Sequence, residues 1–243
     1  MIIEVPGAGL LEGHTDELMS VEFYGYVTNS AGEMRDFFTQ MVSLRIGADH
    51  ESFGRTGLKY YGHLDLPPGD YLIRVLVRNA QTGRTGVQVV PLVIPQYAAG
   101  DPILLPPFFP EAPATWHLAR ETETRFQKTV IYPFTVNGEP YVPSARPMLR
   151  AADTAEMFLI AYNLSDGDVG VSARIVDSEG ELVAAEAAVT LVERTVTGIS
   201  GLDKLLATFK PQGLEAGRYT LEVSLQDESG HSNSNSIAFT VLN

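Results

Sequence analysis

The side chains able to do chemistry are few and scattered. Five histidines, His14, His50, His63, His117 and His231, offer no pair at the spacing that sets two imidazoles on one helix or strand. His14 and His50 fall in polar stretches and His231 in a turn, so they read as solvated loop positions rather than metal ligands. There is no cysteine, which excludes a thiol nucleophile, a thiolate metal site and a disulfide. Gly198-Ile-Ser200-Gly201 sets a serine between glycines but lacks the spacing and the strand-turn-helix setting of a nucleophile elbow. A loop leading into a strand at Leu202 is the simpler reading. Glycoside hydrolysis needs two acids facing each other across a cleft, and nothing in the chain pairs any two of its 30 carboxylates. Phosphate-binding glycine loops are absent.

Two further constellations hold the attention longer. Asp166-Gly-Asp168 lies between two strands, with Asp177, Glu179 and Glu181 in the next turn. Carboxylates clustered on sandwich loops suit Ca²⁺, yet Ser-Asp-Gly-Asp is also ordinary hairpin-turn chemistry and the EF-hand spacing is missing. Both readings stay open at Asp166 and Asp168, and no cofactor or metal is assigned. For sugar binding, the aromatic candidates are Trp116 and the Tyr60-Tyr61 pair. Trp116 sits in a Pro-rich stretch and the two tyrosines point to opposite faces of one strand, so packing explains them better.

The bulk composition narrows the classes. With 243 residues, 44% hydrophobic and 19% charged, the chain suits two ordinary soluble domains. A net charge of -13 repels phosphate backbones, which argues against nucleic-acid binding and against anionic membrane surfaces. No apolar run approaches the roughly 18 residues of a membrane span. The opening Met1-Ile-Ile-Glu-Val-Pro6 lacks the basic and long apolar regions of a signal peptide. The chain is therefore expected to be cytoplasmic, or a piece of a longer one.

What must position any site is a repeat. Leu66-Pro-Pro-Gly69-Asp-Tyr71-Leu-Ile73-Arg-Val75-Leu-Val77 returns as Leu214-Glu-Ala-Gly217-Arg-Tyr219-Thr-Leu221-Glu-Val223-Ser-Leu225. After the next turn Val90, Leu92 and Ile94 meet Ile237, Phe239 and Val241. A glycine corner, a tyrosine and alternating apolar residues read as a bend entering a strand, followed by a second strand in a hairpin. Tyrosines at such corners hydrogen-bond backbone just upstream. The expectation is all-β: two tandem immunoglobulin-like antiparallel β-sandwiches, at 1–97 and 126–243. The six prolines of 95–113 predict an aromatic-rich linker over 98–125 that packs on a domain surface. Residues 47–56 read as a loop and 181–193 as one strand.

The copies differ on their outward face. Leu72, Arg74, Leu76 and Arg78 stand where the second copy has Thr220, Glu222, Ser224 and Gln226; Val87, Val89 and Val93 stand where it has Ser234, Ser236 and Thr240. Sheets with a solvated face alternate apolar with polar. The face of Leu72, Leu76, Val87, Val89 and Val93 is therefore expected to be covered, first by the chain's own linker or second domain, otherwise by a partner chain or upstream domain.

The stretches Asp65–Asn79, Thr82–Gly86 and Val90–Pro95 resemble the region downstream of the von Willebrand A domain in acidobacterial VWFA-related proteins. Tyr132–Ala145 is similar to the segment that opens the following domain there. The resemblance implies an extracytoplasmic setting, periplasmic or secreted, and no known catalytic activity. It carries over no functional residue. The reading is a non-enzymatic structural or protein-interaction module of a larger exported bacterial protein, with a protein partner or upstream domain. The alternative is a carbohydrate-binding module, and an enzyme with its site at the domain junction comes third.

Overall fold

The computed structural model describes residues 1–47, 50–112, 116–122, 128–136, 139–184, 186–197, 199 and 201–242. Packing divides the chain into two units: Met1–Gln96 with Ala112–Pro133, and Tyr97–Glu111 with Phe134–Asn243. Unit 1 runs through β1 (Ile2–Val5), α1 (Gly7–Leu11), β2 (Leu18–Asn29), β3 (Met34–Arg45), α2 (His50–Thr56), β4 (Leu58–Tyr61), β5 (Gly69–Asn79) and β6 (Thr85–Ile94). The chain then gives β7 (Ile103–Leu104) to unit 2 and returns to unit 1 for β8 (His117–Arg120). Unit 2 continues with β9 (Thr135–Val136), β10 (Glu139–Pro140), β11 (Met148–Arg150), β12 (Ala155–Tyr162) and β13 (Val169–Asp177). It closes with β14 (Leu182–Ala184), β15 (Ala188–Val196), β16 (Leu202–Lys210), β17 (Gly217–Asp227) and β18 (Ser232–Leu242).

The protein is all-β, with two packed sheets in each unit. Unit 1 sets β3-β2-β5-β6 over β1-β4-β8. Val21, Phe23, Ile73 and Val75 of the first sheet share a core with Leu58 and Tyr60 of the second. Unit 2 sets β11-β18-β17-β13-β14 over β15-β16-β12-β7, with Leu221, Val223 and Phe239 packed in one core with Leu159, Leu205 and Phe209. Among the described residues no helix is long and apolar enough to cross a membrane.

The repeat is a repeat of structure. β5 pairs with β6 and β17 with β18 in the same register: Leu76 opposes Val87 as Ser224 opposes Ser234, and Arg74 opposes Val89 as Glu222 opposes Ser236. At each corner the tyrosine folds back. Tyr71 Oη donates to Pro67 O at 2.7 Å, and Tyr219 Oη to Glu215 O at 3.1 Å. A Cβ on Gly69 or Gly217 would lie 3.3 Å from the tyrosine side chain, a tight contact, and Gly69 also has a positive φ of 153° that favours glycine. The far end of each hairpin is closed by a buried Asx side chain. Asn79 Oδ1 accepts the N–H groups of Gln81 and Thr82, and Asp227 Oδ1 accepts that of His231.

Three segments depart from the expectations. Residues 50–56 are not loop but the short helix α2, because Phe53 is buried in the unit 1 core and the Glu51–Arg55 pair spans one turn. The stretch 181–193 is two strands, β14 in one sheet and β15 in the other. The Pro-rich 98–125 does not run as a separate linker. Its Leu104 and Phe109 enter the main unit 2 core and Phe108 a second cluster with Phe158, while β8 pairs with β4. Prolines keep β7 to a two-residue edge strand; they do not keep these apolar side chains out of a core. The boundary drawn at 125/126 lies outside the described residues.

Tyr71→Phe, which deletes the hydroxyl and keeps the ring, is expected to destabilise unit 1 by about 1 kcal/mol in urea unfolding. The second expectation concerns acid. Burial by itself would raise the Asp227 carboxyl, but the N–H donors of Ser165 and His231 outweigh it and hold the group below its ordinary value. A depressed carboxylate stabilises the fold fully above its unfolded pKa of about 3.9, and that contribution is lost as pH falls through the lower folded value. Urea midpoints followed into acid should therefore fall more steeply for the native chain than for Asp227→Asn.

Candidate functional site

The arrangement that stands out is the outer face of the β3-β2-β5-β6 sheet. Register places its side chains in rows across the strands. Phe37, Tyr26, Arg74 and Val89 form one row; Thr39, Tyr24, Leu76 and Val87 form the next. Met41, Glu22, Arg78 and Thr85 follow on one side, and Thr28, Leu72 and Pro91 on the other. Directly opposed side chains have Cβ atoms about 5 Å apart, so these residues make one continuous surface. Val87, Val93 and Met41 are 65%, 67% and 58% exposed; Val89, Tyr26 and Phe37 are also exposed, and Leu72, Leu76 and Tyr24 half-buried.

Among the described residues the linker does not supply the cover expected for this face. The apolar residues that were to supply it, Leu104, Phe108 and Phe109, are buried against unit 2 sheets. Sequence reasoning also missed half of the surface. Tyr24, Tyr26, Phe37 and Met41 belong to it only because β2 lies beside β5, and the alternation of Glu22, Tyr24 and Tyr26 was the available signal.

β6 is one edge of this sheet in unit 1, and β3 is the other. Asn79 N–H donates to Arg84 O, so the alternation that follows points the amide positions of Thr85, Val87, Val89, Pro91 and Val93 away from β5. Pro91 has no N–H to offer there, which blunts the edge as a template for a further strand. At β6 the face, rather than the edge, is the sticky element.

Its charges are uneven. Arg78 pairs with Glu22 at 3.2 Å. Arg74 donates to Thr28 Oγ1 at 3.1 Å, and no described carboxylate pairs with it. At the equivalent position of unit 2, Glu222 is paired with Arg174 among Thr220, Ser224 and Ser236.

The other candidates are taken up by structure. Tyr60 is buried, its ring stacked 4.6 Å from Phe23, and burial pushes its hydroxyl pKa up. Tyr61 is buried with its ring edge-on to Tyr132, and Tyr61 Oη donates to Ile131 O. Burial likewise raises Tyr132, to about 12. Trp116 is half-buried, with the Lys59 ammonium 4.3 Å over its ring and Glu4 3.2 Å from the same ammonium. None of these aromatics offers an open sugar platform.

Asp177 Oδ1 closes its turn by accepting the N–H groups of Glu179 and Glu181. In the Asp166 turn the carbonyls of Ser165 and Gly167 accept from Arg194, which also pairs with Asp203 at 2.7 Å. A guanidinium thus occupies the two carbonyls there. Of the histidines, His14 is buried while His50, His63, His117 and His231 are exposed, and they do not converge. Among the described residues no three His, Asp or Glu side chains are grouped to hold a metal. Ser200 lies outside the described residues.

No family model matches the chain, and no curated protein does. Solved structures with partial similarity include a family 123 glycoside hydrolase from Clostridium perfringens, at 16% identity over 40% of this chain and 23% of that one, TM-score 0.29. Dimeric latent PorU from Porphyromonas gingivalis matches at 12% identity over 96% of this chain and 21% of its own, TM-score 0.30. SGBP-B of the Bacteroides ovatus mixed-linkage glucan utilization locus matches at 12% identity over 94% and 41%, TM-score 0.21. The matched stretches span well under two thirds of each of these three chains.

If the face is open, Val87→Thr and Val93→Thr should each shift unfolding free energy by less than about 0.5 kcal/mol, as exposed substitutions do. Val75→Ala on the inner face of the same sheet should cost about 2 kcal/mol, the value of two buried methyl groups and the gap they leave. Equilibrium urea unfolding compares the three variants.

Proposed function

We propose that this chain is a non-enzymatic protein-interaction module, and that the outer face of the β3-β2-β5-β6 sheet is its docking surface. One observation carries the reading: a four-stranded face of exposed valine, methionine, tyrosine and phenylalanine with arginines among them. Its tyrosine, phenylalanine, methionine and arginine are residue types enriched at the cores of protein interfaces. The polar outer face of the matching hairpin in unit 2 supports it, since the same backbone frame is built there without any such surface.

The resemblance of 65–95 and 132–145 to VWFA-related proteins supports placing the module in a larger exported bacterial protein. The tyrosine corners support an immunoglobulin-like kinship for both sandwiches. A second reading has its own observation: Tyr24, Tyr26 and Phe37 are adjacent on this flat face, where a glycan could stack.

A photo-crosslinking residue placed at Val89, and as a control at Ser224 of unit 2, tests the docking reading in the native host. Protein adducts at 89 and none at 224 are the expected result; equal yields at both, or none at 89, would refute it. A glycan array on which specific binding disappears with Tyr26→Ala would transfer the face to the carbohydrate reading.

A further inference from the structure

We infer that the partner of this face is a different protein that presents a carboxylate side chain opposite Arg74, ringed by apolar contacts. The inference rests on the docking reading above and specifies what docks. Arg74 is at the middle of the apolar surface, with Tyr26 and Val89 directly beside it and Leu72 and Leu76 two positions away along its own strand. Among the described residues its one hydrogen bond is to the neutral hydroxyl of Thr28, and no described carboxylate pairs with it. While the face is open, water solvates the guanidinium. Once an apolar partner covers the ring around it, that water is lost and an unpaired buried charge opposes binding strongly. A surface that binds here must therefore bring its own negative charge to this point.

The internal repeat provides a control. Offset by one copy, Arg74 becomes Glu222, and there the chain supplies the neutralising partner itself, Arg174 on the next strand. The strand beside Arg74 offers Tyr26 in place of a charge. Unit 2 thus completes its pair internally and surrounds it with serine and threonine, whereas unit 1 leaves its pair half made and surrounds it with valine and leucine. An incomplete ion pair inside an apolar ring is the pattern of a surface whose other half is on another molecule.

A second copy of the same chain does not satisfy this. Stacking two such faces about a two-fold axis near Arg74 brings guanidinium toward guanidinium. Of the acidic side chains on the face, Glu22 is already held by Arg78. Asp70 stands opposite Val93 at the end of the sheet, so pairing it with Arg74 of a second copy would centre the contact on Leu72 and leave the row of Leu76 and Val87 uncovered. The occupant is instead a strand or loop carrying Asp or Glu flanked by aliphatic or aromatic residues. The guanidinium gives such a carboxylate a two-pronged hydrogen-bonding fork, and the aliphatic stem of Arg74 extends the apolar floor.

Selection of a random peptide library displayed on phage against the full chain tests this, with Arg74→Glu, Arg74→Gln and Val89→Ser as counter-targets of verified folding. Enriched peptides are expected to carry Asp or Glu among apolar residues and to lose affinity on Val89→Ser. On Arg74→Glu they should weaken about tenfold or more, the scale of a close interfacial charge pair. Replacing the peptide acid by Lys should restore binding to Arg74→Glu. Peptides sensitive to Val89→Ser but indifferent to both Arg74 variants would overturn the acidic-partner inference and leave the docking reading standing. Peptides indifferent to all three variants would overturn the docking reading itself. Light scattering that shows a dimer abolished by Val89→Ser would replace the foreign protein with a second copy. Retardation by polygalacturonate in affinity electrophoresis, lost in Arg74→Gln, would replace it with an acidic polysaccharide.

Discussion

The structure depends on the pinning of one hairpin register at both ends. At the corner, a tyrosine hydroxyl reaches back four residues to a carbonyl, and the glycine between them makes room for the ring. At the turn, a buried Asn or Asp side chain accepts the N–H groups left open by the reversal. Side chains alternate along a strand, so a slip of one residue would send Ile73, Val75 and Val77 outward and Arg74 and Arg78 into the core. With both ends tied, that slip is closed off. The inward stripe then fixes where the opposing sheet packs, and the outward stripe becomes a defined surface.

The same frame supports opposite surfaces in the two units. In unit 2 the outward positions are Thr220, Glu222, Ser224 and Gln226, with Glu222 neutralised by Arg174. In unit 1 they are Leu72, Arg74, Leu76 and Arg78, and β2 and β3 extend the apolar character with Tyr24, Tyr26, Phe37 and Met41. The core sets no such difference, because these side chains contribute little to it. Pro91 at the outward edge of β6 removes a backbone donor where a foreign strand would pair, so the surface is apolar without being an open template for sheet growth.

The hairpins were legible in the sequence because their signals are local: glycine and tyrosine two residues apart, with apolar alternation after them. The contrast of the outward stripes was legible for the same reason, since β5 and β6 are adjacent in the chain. The rest of the face was not, because nothing local says that β2 lies beside β5. Tyr60, Tyr61 and Trp116 were candidate platforms by residue type, but β4 is buried on both faces and Lys59 lies under Trp116. Likewise Arg194 reaches the Asp166 turn from a strand nearly thirty positions away, a distance no turn signal spans.

By itself, then, the sequence determined the strand periods, the paired corners, the turns and the identity of the outward residues on β5 and β6. These follow from backbone preferences and alternation over a few residues. Only the tertiary structure decided which strands neighbour one another, that 98–125 feeds a strand to each unit, and that Val87, Val89 and Val93 are exposed beside an Arg74 with which no described carboxylate pairs. Those outcomes depend on which distant apolar side chains compete for the same core, and Leu104, Phe108 and Phe109 buried themselves in unit 2 rather than over the valines of β6.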